Sequence, residues 1–389
     1  MGKNKNISNS VIYIGVDDND IDLFENQYKV PNGISYNSYL IKDEKIVIMD
    51  TVDKRKTEEW IKNLEQELDG KNPDYLVISH LEPDHSGSLE VLLEKYPNIK
   101  LVGNEKTFSM LPQFVDFNIE EKTVKVSEGD ILEIGKHKLQ FFMAPMVHWP
   151  EVMVTYEQKE KILFSADGFG TFGTTENRED WESEARRYYF NIVGKYGMQV
   201  QMLLKKLSTI EVKMICSLHG PILKENLEFY INKYNLWSSY TPENEGVLIA
   251  CASIHGNTME AAKKLKEMIN KQYKIDVVVR DLAREDVSKV IEEAFYYDKL
   301  ILMGASYNMK VFPPMQNFLS QLEGKNYQKR KISIIENGSW APSAAKTMKE
   351  VVDKMKNIDF IEPIITIKTR MNNENIIQME QLIKNIIKF

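Results

Sequence analysis

The sequence predicts two domains of different class: an α+β domain over residues 1–240 and a doubly wound α/β domain with a five-stranded parallel sheet over 247–389, joined at 241–246. Three observations carry that expectation. A chain of 389 residues exceeds what one core of about 150 to 250 residues organises. From residue 247 onward strand-like and helix-like patterns alternate, whereas the earlier part strings short strands between turns. Between the two lies Tyr-Thr-Pro-Glu-Asn-Glu-Gly at 240–246, polar and broken by Pro and Gly as linkers are.

Taken in order, strands are expected at 11–16, 35–41 and 45–50, with hairpin-like pairs at 123–142 and 152–164. Helical stretches are expected at 54–68, 89–96, 182–207 and 224–234. In the second domain, strands at 247–252, 276–279, 299–304, 332–335 and 361–367 are each followed by a helical stretch. Those stretches start at 258, 287, near 315, near 343 and after 367. Strands that alternate with helices form a parallel sheet covered on both faces. There is no internal repeat, and the only biased segment is the polar N-terminal tail.

No apolar run approaches the roughly 20 residues that span a bilayer, and the Lys- and Asn-rich start lacks the apolar segment of a signal peptide. A cytoplasmic protein with no membrane partner is expected. Fifty basic against 57 acidic side chains leave a net charge of −7, which argues against nucleic-acid binding. Cys216 and Cys251 are the only cysteines, so neither a disulfide framework nor a cysteine-based metal site is available. Metal chemistry must use nitrogen and oxygen ligands.

The stretch HLEPDHSG at 80–87 places His80, Glu82, Asp84 and His85 within six positions, just after the apolar run Tyr-Leu-Val-Ile-Ser at 75–79. A helix starting near Ser86, capped by Asp84 or Ser86, accounts for one of these residues. Four ionisable groups brought together at a strand end need partners or a metal. The chain has six histidines, and three further chemistry-bearing residues also follow apolar runs: His148 after 139–143, Asp167 after 162–166 and His219 after 214–218. Loops at one edge of a rigid sheet gather binding residues. His80, Glu82, Asp84, His85, His148, Asp167 and His219 would together hold two metals, with Asp167 as the bridging carboxylate.

This pattern, His-x-Glu-x-Asp-His followed by His, Asp and His at strand ends, resembles the diiron site of the flavodiiron proteins, built on the metallo-β-lactamase fold. The hydrolases of that superfamily carry His-x-His-x-Asp-His and usually bind zinc. Glu82 stands where their second His would be, and a carboxylate for an imidazole makes the site harder and more anionic, which suits iron. The resemblance extends to 33–40, 48–51, 148–150 and 166–170. It implies an αββα sandwich for the first domain. It also implies that His80, Glu82 and His148 bind one iron, that Asp84, His85 and His219 bind the other, and that Asp167 bridges them.

The second domain carries CASIHGNTMEAA at 251–262, after its first strand and opening a helix. Ser253, Ile254, His255, Gly256, Asn257 and Thr258 place hydroxyls, an amide and backbone N–H groups where a helix N-terminus favours a phosphate. In a flavodoxin-like pattern, ligands sit at the carboxyl ends of the strands, which points to FMN. Ser306, Tyr307 and Asn308 follow the third strand, and Asn337, Gly338, Ser339 and Trp340 the fourth. Tyr307 and Trp340 could stack on the isoalloxazine. The family more often has a Pro-Thr-containing second loop and a Phe-Gly-Ser-aromatic-Gly-Trp third loop, and this chain departs from both. His255 is read as a backbone contributor, and His137, between two lysines, as exposed.

The resemblance implies that electrons enter at FMN and pass to two non-haem iron ions per chain, where O2 is reduced to water, NO to nitrous oxide, or both. It implies a head-to-tail homodimer, or a dimer of dimers, in which the FMN of one chain faces the irons of the other. With no Cys-x-x-Cys pair after the flavodoxin-like region, a separate donor is expected, a rubredoxin or a reduced deazaflavin. Trp149, Tyr196 and the region of Met146 are candidate pocket walls. Two other readings remain open at this point. One is a metallo-β-lactamase-fold hydrolase with an accessory flavodoxin domain; the other is an electron carrier whose first domain only binds partners.

Overall fold

The computed structural model describes residues 6–176 and 181–388. The polar tail expected at the N-terminus lies largely outside them. Contacts divide the chain into two units, one running to Tyr189 and resuming at Met198–Asn235, the other comprising Phe190–Gly197 and Leu236–Phe389. The stretch 241–246 therefore lies within the second unit, where Asn244 already pairs with Tyr297.

The first unit is built on two sheets. The six-stranded sheet runs, in spatial order, Val11–Tyr13, Tyr39–Lys42, Ile46–Met49, Tyr75–Val77, Lys100–Gly103 and Thr123–Lys125. The five-stranded sheet runs Ile131–Glu133, Lys138–Met143, Met153–Glu157, Ile162–Phe164 and Met214–Cys216. Side chains alternate between faces along a strand, and one alternating set from each sheet meets in a shared core. Tyr39, Ile41, Val47, Met49, Val77 and Val102 pack there with Leu139, Phe141, Met153, Ile162, Phe164 and Cys216. The opposite set, Leu40, Ile48, Leu76 and Leu101, is buried as well, so both faces of the first sheet are covered. The helix Thr57–Leu68 buries Trp60, Leu64 and Leu68 at helical spacing. This is the αββα sandwich.

Two local expectations give way here. The stretch 123–142 is not one hairpin: Thr123–Lys125 pairs in parallel with Lys100–Gly103, and only Ile131–Glu133 turns back on Lys138–Met143. The helix expected over 182–207 is broken. Trp181–Tyr188 passes into a π-helical turn, Tyr189–Val193, before Gly197–Leu207 resumes.

In the second unit the parallel strands lie in the order Val277–Asp281, Asn244–Ala252, Tyr297–Tyr307, Arg330–Asn337, then a fifth position split between Ile358–Phe360 and Ile365–Ile367. Numbered along the chain this is 2-1-3-4-5, the flavodoxin-like order. Val247, Ile249 and Cys251 pack with Ala261, Leu265 and Ile269 of the helix Asn257–Gln272 and with Met379, Leu382 and Ile386 of Asn373–Lys388. Leu248 and Ala250, facing the other way, are buried too, as a sheet with helices on both faces requires. Phe190 stacks on Phe295 at 3.9 Å between ring centroids, which ties the Phe190–Gly197 segment to this unit. Among the described residues no helix is long and apolar enough to cross a membrane.

Candidate functional site

Every one of the seven side chains singled out in the first unit stands just beyond a strand. After Tyr75–Val77, the N–H groups of Ser79 and His80 donate to Asp50 Oδ1 at 2.7 and 3.4 Å, fixing the point where the chain leaves the sheet. The motif then makes its own helical turn, Pro83–Ser86, with Glu82 at the N-cap position and Ser86 N–H bonded to the Glu82 carbonyl at 2.9 Å. Asp84 and Ser86 are therefore within a turn rather than capping the longer helix, Leu89–Lys95, which is preceded by Ser88.

His148 comes from the loop after Lys138–Met143 and Asp167 from the turn after Ile162–Phe164, where Ser165 Oγ bonds the Gly168 carbonyl at 2.6 Å. His219 follows Met214–Cys216 and is held by its neighbour: Gly220, at φ +79°, donates its N–H to Ser35 Oγ at 2.6 Å. A Cβ at Gly220 would come within 2.1 Å of Thr171 Cγ2, so this approach of backbone to threonine demands glycine.

The structure brings all seven side chains together in two adjoining groups. In one, Glu82 Oε2 lies 3.2 Å from His80 Nε2 and 2.9 Å from His148 Nε2. In the other, Asp84 Oδ2 lies 3.2 Å from His219 Nε2 and 3.4 Å from His85 Nε2. Asp167 serves both. Its Oδ2 is 3.4 Å from His80 and 3.2 Å from His148, while its Oδ1 is 3.2 Å from His85 and 3.7 Å from His219. Within each group the ligand atoms fall within 4.8 Å of one another.

Polar satisfaction shows what the cluster suits. Both carboxylate oxygens of Asp84 and of Asp167 and both ring nitrogens of His85 are buried without a hydrogen-bond partner. Each such group costs about 1 to 3 kcal/mol unless something else meets it. The Nε2 atoms of His80 and His148 face each other at 3.3 Å. On the outer side, His80 Nδ1 meets Glu151 Oε1 at 2.7 Å and His219 Nδ1 meets the Ser35 carbonyl at 2.7 Å. Rings that donate outward turn the Nε2 lone pair inward, the arrangement of metal-ligating histidines. Two cations, one per group, would satisfy these atoms together.

The charges agree. Burial alone would raise the Asp167 pKa, but His85, His148 and His80 hold it well below the usual carboxylate range. Burial alone would lower His148, yet the adjoining carboxylates of Asp167 and Glu82 carry it up to about 9. Shifts in these directions mean that the cluster favours positive charge beside its carboxylates, which bound cations supply in competition with protons.

Sequence reasoning missed Glu151, Asp50, Phe24 and Tyr188. Phe24 and Tyr188 set their rings 5.3 and 5.5 Å from that of His219. Trp149, a predicted wall, stands edge-on to His80 at 5.2 Å. Tyr196, the other, lies in the segment grouped with the second unit. Contrary to expectation His137 is buried, at 2% exposure, with Nδ1 2.5 Å from Asp43 Oδ2, and it belongs to neither group.

In the second unit a cavity of about 620 Å³ opens at the carboxyl ends of the strands. Ser253, Ile254, His255, Asn257 and Thr258 line one part, Ser306, Tyr307 and Asn308 another, and Asn337, Gly338, Ser339 and Trp340 a third. Gly256 is absent from the lining but shapes it. At φ +97° it donates its N–H to Ser253 Oγ at 3.0 Å and starts the helix Asn257–Gln272 with no side-chain cap. The first N–H groups of a 16-residue helix are thus left for an anion. Tyr307 and Trp340 stand at the rim, 45% and 91% exposed, available to a planar ring. Thr369, just past the last strand, also lines the cavity and was missed; the rule that ligands sit at strand ends, applied once more, would have found it.

Residues 34–220 match a family model described as ODP family beta lactamase. The chain is 30% identical to an anaerobic nitric oxide reductase flavorubredoxin of Aliivibrio fischeri, over 86% of this chain and 69% of the relative. Among solved structures it superposes on rubredoxin oxygen:oxidoreductase from Desulfovibrio gigas with a TM-score of 0.91 and 25% identity, covering 98% and 97% of the two chains. It superposes on a mutant of a flavo di-iron protein from Thermotoga maritima with a TM-score of 0.88 and 26% identity, covering 97% and 95%.

Proposed function

The chain belongs to the flavodiiron proteins and is an oxidoreductase, and from that premise we propose that it passes electrons from FMN to a non-haem diiron centre that reduces O2 to water, NO to nitrous oxide, or both. The observation that carries the proposal is the pair of ligand groups sharing Asp167. His80, Glu82 and His148 would hold one iron, Asp84, His85 and His219 the other, and Asp167 would offer one oxygen to each. When bound, the irons and FMN supply reversible one-electron and two-electron chemistry at potentials that this polar shell tunes.

The protein's own part is positional. His80 and His219 are oriented from behind by Glu151 and the Ser35 carbonyl. Phe24, Tyr188 and Trp149 wall the ligand rings with aromatic surface, which limits water at the centre. In the other unit the N–H groups at the start of the Asn257–Gln272 helix would hold the FMN phosphate, and Tyr307 and Trp340 at the cavity rim would be available to its ring. The first unit would be the diiron domain and the second the FMN domain. A rubredoxin or a reduced deazaflavin supplies the electrons, and a cytoplasmic head-to-tail dimer brings each FMN to an iron pair. The hydrolase reading is not favoured, because Glu82 replaces a histidine and the second unit carries a nucleotide-sized cavity.

The deciding experiment is anaerobic. Protein with quantified iron and FMN is reduced, then mixed separately with O2 and with NO while flavin reoxidation and product are followed. Rapid reoxidation with water or nitrous oxide as product is expected, and the faster oxidant identifies the preference. Zinc in place of iron, with reoxidation no faster than that of free FMN, would overturn the proposal.

A further inference from the structure

The two ligand groups look alike in donor type, three side chains each around a shared Asp167, but their supports differ. His80 Nδ1 meets Glu151 Oε1 at 2.7 Å, and the same oxygen accepts the Leu81 N–H at 3.0 Å. Glu151 is fully buried, and Asn104 Nδ2 anchors its backbone carbonyl at 2.7 Å. The other group has no counterpart. His219 Nδ1 leans on the neutral carbonyl of Ser35, and His85 Nδ1 makes no hydrogen bond, the nearby Asp50 carboxylate accepting the Ser79 and His80 N–H groups instead. His80 is therefore set apart from His85 and His219 by a carboxylate hydrogen-bonded to its outer nitrogen. A carboxylate behind a histidine draws its N–H proton, enriches the opposite nitrogen and adds a negative charge close to the ion.

We propose that Glu151 is a positioning residue that makes the two metal positions inequivalent: the position of His80, Glu82 and His148 takes the first ion and holds it more tightly than the position of Asp84, His85 and His219. The inference rests on the ligand assignment made above and adds to it an order of loading and the residue that sets it. Glu151 is suited to this role because its second oxygen is buried and partnerless. Its charge is thus committed to the His80 side, where bound protons or a bound cation must answer it.

The test uses the full chain with FMN bound, stripped of metal and titrated anaerobically with cobalt(II) by equilibrium dialysis. Two steps of different affinity are expected. His148→Asn should remove the tight step and His219→Asn the weak one. Glu151→Gln keeps an acceptor oxygen for His80 and Leu81 and places its amide where the partnerless oxygen stood, so a purely structural role predicts an unchanged isotherm. The charge role predicts a tight step weakened about 10- to 100-fold with the weak step preserved. Equal affinities in the unaltered chain, a tight step that disappears with His219→Asn, or a Glu151→Gln isotherm superimposing on the original would each overturn the inference. If Glu151→Gln proves unfolded by its thermal transition, the order of loading in the unaltered chain and the two histidine variants still decides. Failure of the unaltered chain to bind any cobalt pair would instead overturn the metal assignment itself.

Discussion

Asp167 carries more of the site than any other residue, because its two oxygens face different ligand groups at 3.2 to 3.7 Å. Asp167→Asn removes the shared charge and one of the two oxygens. Iron should fall from two per chain to one or fewer and oxidant turnover should be lost, while FMN stays bound; metal analysis beside flavin absorbance checks this. A second residue-scale expectation concerns the dyad far from the metals. Asp43 accepts the N–H of His137 at 2.8 Å as well as its ring. Burial acts to raise the Asp43 pKa, but these bonds bring it below the ordinary value of 3.8. A lowered carboxylate contributes stability that is full above its unfolded pKa and is lost as pH falls through the folded one. Denaturant midpoints of Asp43→Asn should therefore be lower near neutrality, by about 1.5 kcal/mol in stability, and should decline less than those of the unaltered chain below about pH 4. That the seven side chains of the two groups gather was legible because each stands just past an apolar run in a chain with few histidines. Glu151, Phe24 and Tyr188 were not, since their roles come from loops that meet only in the folded chain. His137 was misread because flanking lysines say nothing about an aspartate 94 residues away that accepts its ring and backbone N–H groups.

At the scale of elements, the helix Asn257–Gln272 shows how a local rule becomes a binding device. Gly256 sits at φ +97° with open space where a Cβ would go, so a side chain there meets no clash but a backbone penalty of about 1 kcal/mol. Gly256→Ala should hence leave the fold intact and tilt the first N–H groups, weakening FMN about tenfold in a fluorescence titration, with iron content unchanged. Unchanged FMN affinity would mean that these groups do not carry the phosphate. The strand–helix alternation of this domain was readable because each element carries its own period. Less was readable where pairing depends on distant partners. Thr123–Lys125 joins the first sheet because Lys100–Gly103 lies beside it, and the π-helical turn at Tyr189–Val193 ends a helix that local pattern alone would continue. Nor does local pattern show that Phe190 stacks on Phe295.

For the molecule as a whole, the proposed function requires that the cavity of one unit and the ligand groups of the other serve one electron path. The proposed head-to-tail dimer supplies that path between chains, and symmetry makes it testable without a structure of the complex. One variant, Asp167→Asn, lacks the iron pair but keeps FMN. A second, with the phosphate loop blocked by charge at Thr258→Glu, keeps the iron pair but lacks FMN. Each alone should be inactive. Mixed, dissociated and reassociated at random, about half the dimers are hybrids, and each hybrid has one interface in which an intact FMN faces an intact iron pair, so activity should recover to about a quarter of the unaltered value. If electrons instead pass within a chain, neither partner in a hybrid holds both centres, and mixing restores nothing. Recovery should also rise and fall with the fraction of hybrids as the mixing ratio is varied, peaking at equal amounts, a dependence that trace contamination by unaltered chain cannot produce.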